Sequence, residues 1–173
     1  SWFDVFALAA AIPGRVRFVA KEELGRIPIF GTAWNACGHI SIDRSDRRAA
    51  IQSLDTAALW VRENSMTMTL FPEGTRSPDG KLQEFKKGAF VLAAKTGLPI
   101  VPVGISGSRE IMPKGSFRVH PGKIRVRIGD PIVPTGNWEG ARDDLRTYSR
   151  NAVAALMEES NDTRETNVEP IDD

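Results

Sequence analysis

The chain has 173 residues, enough for one domain with a substantial core on a prior of roughly 100–200 residues per domain. Its 41% hydrophobic and 26% charged residues, with 15 Gly and 11 Pro, exclude collagen, coiled coil and wholesale disorder. The net charge of +1 conceals an asymmetry: seven acidic residues against one basic residue from Glu158 onward leave 22 Lys and Arg against 15 Asp and Glu before it, a body of +7.

Such a body attracts an anionic partner, whether nucleic acid, an anionic membrane surface or a phosphorylated small molecule, unless the charges only solvate the surface. The single Cys37 excludes an intrachain disulfide framework and a cysteine-based zinc cage, and points to a reducing compartment. Residues 5–12 form the longest apolar run, eight residues where a membrane-spanning helix needs about 20. A helix is expected to begin at Val5, with Asp4 as its cap. The chain opens at Ser1 without an initiator Met and runs straight into Trp2-Phe3, so it reads as the remainder of something longer.

Residues 38–44 read as an apolar strand ending in Arg44. Ser45 or Asp46 then caps a helix in which Ile51, Leu54, Ala58 and Val61 recur at helical spacing to about Asn64. A short strand follows over residues 66–71, where Thr67 and Thr69 alternate with Met66, Met68 and Leu70. Residues 87–96 predict a helix closed by Gly97 and Pro99. Residues 100–105 predict a strand in which Pro102 is the unusual position. Residues 123–128 predict a half-buried strand with Ile124, Val126 and Ile128 on one face and Arg125 and Arg127 on the other. The last helix spans residue 139 to about 159, with Ala141, Leu145, Ala152, Ala155 and Leu156 as its apolar stripe. Residues 161–173 are expected to be a flexible acidic tail. Strands separated by helices predict an α/β layered single domain with a mixed, mainly parallel sheet flanked by helices.

The segment richest in chemistry is Phe71-Pro72-Glu73-Gly74-Thr75-Arg76-Ser77. It leaves a predicted strand and presents a carboxylate, a permissive glycine, a hydroxyl and a guanidinium where α/β sheets place their ligand sites. Gly74 admits a close backbone approach, and Arg76 offers a planar fork for two phosphate oxygens. The plainer alternative is a tight turn with a surface ion pair between Glu73 and Arg76. Arg44 and Arg76, brought from separate strand ends to one crevice, would clamp a phosphomonoester. Lys21 is either a third cation there or a surface lysine. His39 reads as a structural histidine and His120 as a surface one.

These blocks resemble the 1-acylglycerol-3-phosphate O-acyltransferase family, the lysophospholipid acyltransferases that make phosphatidic acid. Phe71 to Ser77 match its Phe-Pro-Glu-Gly-Thr-Arg-Ser block throughout. Gly38 to Arg44 match its Gly-x-x-Phe-Ile-x-Arg block with Ser41 in place of Phe. Leu98-Pro99-Ile100-Val101-Pro102-Val103 match its apolar Pro-Val block, in the same order and spacing. The resemblance covers roughly residues 1–135. The family's first block, a His, four residues and an Asp, falls on Asp4, which puts the His two positions before Ser1; an N-terminally truncated member is therefore expected.

The resemblance implies a glycerolipid acyltransferase-like domain over residues 1–160 that needs no cofactor or metal. Acyl-CoA or acyl carrier protein would be the donor and lysophosphatidic acid the acceptor. Asp4 would orient the missing catalytic His. Lys21, Arg44, Glu73, Gly74, Thr75 and Arg76 would hold the glycerol phosphate, and Pro102 would belong to the acyl-side wall. A location at the cytoplasmic face of a membrane, through surface contact or a missing anchor, follows, with no nucleic-acid role. The alternative is a module without turnover that binds lysophospholipid or an anionic membrane surface.

Overall fold

The computed structural model describes residues 3–43, 47–113, 115–116, 118–135 and 138–162. Strand β1 (Val16–Lys21) is the centre of a three-stranded parallel sheet, with β2 (Ile40–Ile42) on one side and β3 (Thr67–Thr69) on the other. Val19, Ala20 and Lys21 pair with Ile40, Ser41 and Ile42, whereas Val16, Arg17 and Phe18 pair with Thr67, Met68 and Thr69.

Successive side chains leave a strand on opposite faces, and both faces of β1 are covered. Phe18 packs with Leu8 of α1 (Phe3–Ala11) and Trp34 of α3 (Phe30–Ala36), joined by Val16 and Ala20. Val19 leaves the other face, into a cluster with Ile42, Leu54 and Ala58 of α4 (Arg47–Glu63) and Leu92 of α5 (Gly88–Thr96). A parallel sheet with helices on both faces is the stable form of such pairing. The first cluster also takes in Val103, Ile105 and Val126, so α1 spans from the parallel sheet to a separate antiparallel pair.

That pair is β4 (Val103–Ser106) against β5 (Arg125–Ile128), extended by a bridge between Ile100 and Ile132. The predicted mixed sheet is thus two sheets among the described residues, three strands parallel and two antiparallel. Pro102 lies between the bridge and β4; its ring has no N–H to donate, and its carbonyl accepts the Gly129 N–H at 2.9 Å. Helix α7 (Trp138–Asp162) closes the second sheet, with Ala141, Leu145 and Ser149 buried one turn apart. Leu145 meets Phe85, Phe90 and Ala93, and Phe85 and Phe90 stack with ring centroids 6.0 Å apart.

Several expectations need adjustment. Helix α1 starts at Phe3, so Asp4 sits inside the first turn, where a carboxylate still complements the helix dipole, rather than capping it. Ile128 is 49% exposed, because it ends β5 and that strand pairs on only one side among the described residues. Ala155 is exposed, since the buried line of α7 continues through Val153 and Leu156. Helix α7 runs through Asp162, two residues into the expected tail; residues 163–173 and the expected caps Ser45 and Asp46 lie outside the described residues. The strand at residues 66–71 shortens to β3, and the helix at residues 87–96 ends at Gly97 as expected. The sequence patterns do not mark β1, α2 (Glu22–Gly25), α3 or α6 (Ser108–Ile111).

Gly104 is the point where α7 lies directly on β4. A methyl group there would stand 2.7 Å from Leu156 Cβ and 3.1 Å from the Leu156 carbonyl carbon, and helix backbone cannot move aside cheaply. Gly104→Ala is expected to cost about 1–3 kcal/mol by overpacking, lowering the melting temperature by about 2–4 °C per kcal/mol. An unchanged or raised melting temperature would contradict this packing.

Candidate functional site

Because β1, β2 and β3 run parallel, their carboxyl ends leave the sheet on one edge, where α/β sheets collect ligands. Lys21 ends the central strand in register with Ile42. Asp43 follows β2, and Arg44, the next residue, lies outside the described residues. From β3 the chain passes through Leu70, Phe71 and Pro72 into Glu73-Gly74-Thr75-Arg76. Helix α1, joined to β1 through residues 12–15, carries Asp4 in its first turn and packs through Leu8 against Phe18 of β1. Asp4 is half-buried and its Oδ1 is shielded from solvent.

The turn at Glu73 is built from backbone. Gly74 adopts φ 70°, a left-handed conformation that glycine alone reaches without cost, and its N–H donates to the Phe71 carbonyl at 3.1 Å. The Lys86 N–H donates to the Pro72 carbonyl at 2.8 Å, and Glu73 Oε2 accepts the Gln83 N–H at 2.9 Å. The Glu73 carboxylate therefore ties the returning chain to the turn. Thr75 and Arg76 stand exposed at its tip.

Beyond Arg76 the chain closes a small loop. The Ser77 hydroxyl donates to Asp79 Oδ1 at 2.9 Å and accepts the Gly80 N–H at 2.9 Å, while the Lys81 N–H donates to Asp79 Oδ1 at 3.1 Å. The Lys81 N–H first, and then the Ser77 hydroxyl, hold the Asp79 carboxyl below its usual range. Two arginines fasten this segment to the rest of the domain. Arg109 of α6 donates to the Asp79 and Pro78 carbonyls at 2.8 and 3.0 Å, and Arg150 of α7 donates to the Leu82 and Gln83 carbonyls at 3.3 and 3.4 Å.

The other expected site residues divide. Lys21 is exposed, with its Nζ 3.6 Å from Glu23 Oε1. The Glu23 carboxyl is held below its usual range first by its own backbone N–H and further by Lys21, with Asp43 acting in the opposite sense. Pro102 is buried at the head of β4, its ring facing Gly129 close to Leu156 of α7. It packs within the second sheet. Among the larger apolar side chains, Leu8 and Trp34 are buried, whereas Phe6 is 65% and Trp60 39% exposed. An open groove of about 540 Å³ lies between β2 and α4, lined among others by Ile40, Ser53, Ala57 and Trp60, and none of residues 71–86 borders it.

His39 is structural and sits just before β2, level with Phe18 of the central strand. Its Nδ1 accepts the Phe18 N–H at 3.3 Å, extending the ladder just before β2 begins. Its ring packs against Trp34 at 4.4 Å and Phe18 at 5.4 Å between centroids. Burial first, and then the charge of Arg17, hold its pKa below the ordinary imidazole value. Arg17 is itself held over the Trp60 ring at 5.7 Å.

The arrangement is an α/β domain with an arginine-bearing loop at the carboxyl edge of its parallel sheet. Residues 1–106 match the sequence profile described as Acyltransferase, and the chain belongs to that family. It is 40% identical over 139 residues to the 1-acyl-sn-glycerol-3-phosphate acyltransferase of Cocos nucifera, a match covering 80% of this chain and 45% of that protein. Identity to the protein of the same description from Limnanthes alba is 44% over 135 residues, 78% of this chain and 48% of that one. The chain thus spans about half the length of these curated relatives. The crystal structure of the 1-acyl-sn-glycerophosphate (LPA) acyltransferase PlsC from Thermotoga maritima shares the fold, with a TM-score of 0.78 at 31% identity over 96% of this chain and 65% of that one. Arg109 and Arg150 lie beyond the matched residues 1–106, and no local pattern in the sequence announces them.

The neutral His39 gives a test with a definite sign. Its folded-state pKa is lowered, so its contribution to stability is complete above about pH 6.5 and is lost as pH falls through the folded value, by at most about 1.4 kcal/mol per pH unit. Denaturant melts of the wild-type protein and His39→Gln, which keeps an acceptor but cannot be protonated, are expected to diverge between pH 7.5 and 5. Parallel profiles would contradict this role.

Proposed function

We propose that this chain is the catalytic-domain portion of an enzyme that transfers an acyl chain from acyl-CoA or acyl carrier protein to the free hydroxyl of 1-acylglycerol 3-phosphate, giving phosphatidic acid. The observation that carries the reading is the Glu73-Gly74-Thr75-Arg76 turn, intact and exposed at the carboxyl edge of the parallel sheet, in a chain of this family. The names of the relatives from Cocos nucifera and Limnanthes alba agree with it.

In this reading Arg76 and the Thr75 hydroxyl hold the acceptor's phosphate, with Arg44 and Lys21 adding positive charge from the neighbouring strand ends. Lys21 then exchanges an exposed ion pair with Glu23, of little worth in water, for the ligand. Gly74 lets the ligand approach the backbone, and Glu73 keeps the turn in shape through Gln83. In this reading the general base would be the histidine of the family's first block, with Asp4 holding it in its productive tautomer. The acceptor hydroxyl loses its proton to that base and attacks the thioester carbonyl, so a C–O bond forms, the C–S bond breaks and the thiol leaves with a proton. The domain contributes mainly proximity and orientation, with no resident cofactor. Pro102 supports an acyl-side wall only indirectly, through the packing of β4.

The same reading places the domain against the cytoplasmic face of a membrane. Ile27 and Ile29, 41% and 87% exposed, project from the α2–α3 connection that follows Lys21, and Phe6 projects from the Asp4 helix. Basic side chains near an anionic surface add about 1 kcal/mol each. No helix among the described residues is long and apolar enough to cross a membrane.

Thiol release from acyl-CoA with lysophosphatidic acid as acceptor tests the proposal, comparing this chain with one extended upstream to include the motif histidine. Turnover is expected in the extended chain. In that chain Arg76→Ala is expected to lower kcat/KM for the acceptor at least about tenfold, as the loss of a charge-assisted hydrogen bond implies. Unchanged kinetics would overturn the phosphate assignment.

A further inference from the structure

We propose that Arg109 is a positioning residue for the acceptor's phosphate: it tethers the loop of residues 77–81 and so fixes where Arg76 stands. The proposal rests on the acceptor reading above. The loop is closed on itself by the Ser77, Asp79 and Gly80 hydrogen bonds, so it behaves as a unit that needs a tether to the body of the domain. Arg109 supplies one in bidentate form, its Nη1 donating to the Asp79 carbonyl at 2.8 Å and its Nη2 to the Pro78 carbonyl at 3.0 Å. A planar guanidinium suits two consecutive carbonyls, whereas an ammonium reaches one well.

Close packing accompanies the hydrogen bonds. Gly80 adopts φ 85°, and a Cβ there would stand 3.2 Å from Arg109 Nη1 and 3.3 Å from its Cδ. The loop therefore lies in close contact with the arginine side chain. At the other end α6 is fixed by Ile111 and Met112, 7% and 8% exposed, and it packs on α1, the helix of Asp4. Arg109 thus links the segment that carries Arg76 to the element that carries Asp4.

The clamp is solvent-exposed, and exposed polar contacts contribute little to global stability. Its effect falls instead on local opening of the loop. The full chain, Arg109→Ala, Arg109→Lys and the control Arg62→Ala at the exposed end of α4 are compared by amide hydrogen exchange and by calorimetric titration with a short-chain lysophosphatidic acid. For Arg109→Ala, exchange over residues 77–81 is expected to rise at least about tenfold and the Kd about five- to twentyfold. Its melting temperature is expected to stay within about 2 °C of wild type. Arg109→Lys should recover part of both losses, and Arg62→Ala should match wild type.

Unchanged exchange overturns the clamp. Faster exchange with unchanged affinity leaves Arg109 a structural residue and overturns the positioning role, as does a general rise in exchange with a large fall in melting temperature. If the wild-type chain binds no lysophosphatidic acid, the acceptor reading itself fails and takes the positioning role with it, while the exchange data still decide whether the clamp exists.

Discussion

Phe18 and Val19 leave β1 on opposite faces, and the burial of both fixes the rest of the molecule. A strand covered on two sides must be central, and its partners β2 and β3 run parallel to it. The two adjacent clusters draw α1 and α3 to one face and α4 and α5 to the other. Parallel pairing then sends three chain segments out of the sheet on one edge, bearing Lys21, Asp43 with Arg44 beyond it, and the Glu73 turn. The site is a consequence of topology before it is a consequence of any one side chain.

The loop that carries Arg76 poses a different problem. It has no sheet or helix of its own, so its backbone groups need other partners. Glu73, Ser77, Asp79, Arg109 and Arg150 supply them, each net bond adding about 1 kcal/mol against the entropy of ordering the loop. Much of what surrounds the exposed Thr75 and Arg76 is therefore devoted to the shape of their support. Glu73 in this structure belongs to that support through its contact with Gln83.

Parts of this were legible in the sequence for physical reasons. Amphipathic α4, the Gly97 stop of α5 and the chemistry of residues 71–77 are local signals, carried by spacing or by a contiguous motif. The central strand was not legible, because a strand buried on both faces has no apolar–polar alternation to read and Arg17 interrupts it. The exposure of Ile128 depends on where β5 runs out of partners, and that of Ala155 on which side of α7 packs, through Val153 and Leu156. Pro102 matches an apolar block in the sequence, but only the tertiary fold shows that it packs toward Gly129 and α7. Arg109 and Arg150 bind backbone carbonyls remote in sequence, a contact without any side-chain pattern on the partner.

The proposed seat of the acceptor's phosphate is the Thr75–Arg76 tip at the carboxyl edge of the parallel sheet. The most direct measurement is a crystal structure of the chain with a short-chain lysophosphatidic acid bound. The phosphate is expected within hydrogen-bond distance of the Arg76 guanidinium and the Thr75 hydroxyl, with the turn at Gly74 unchanged. A phosphate seated instead in the groove beside Trp60, with the 73–76 turn empty, would contradict it.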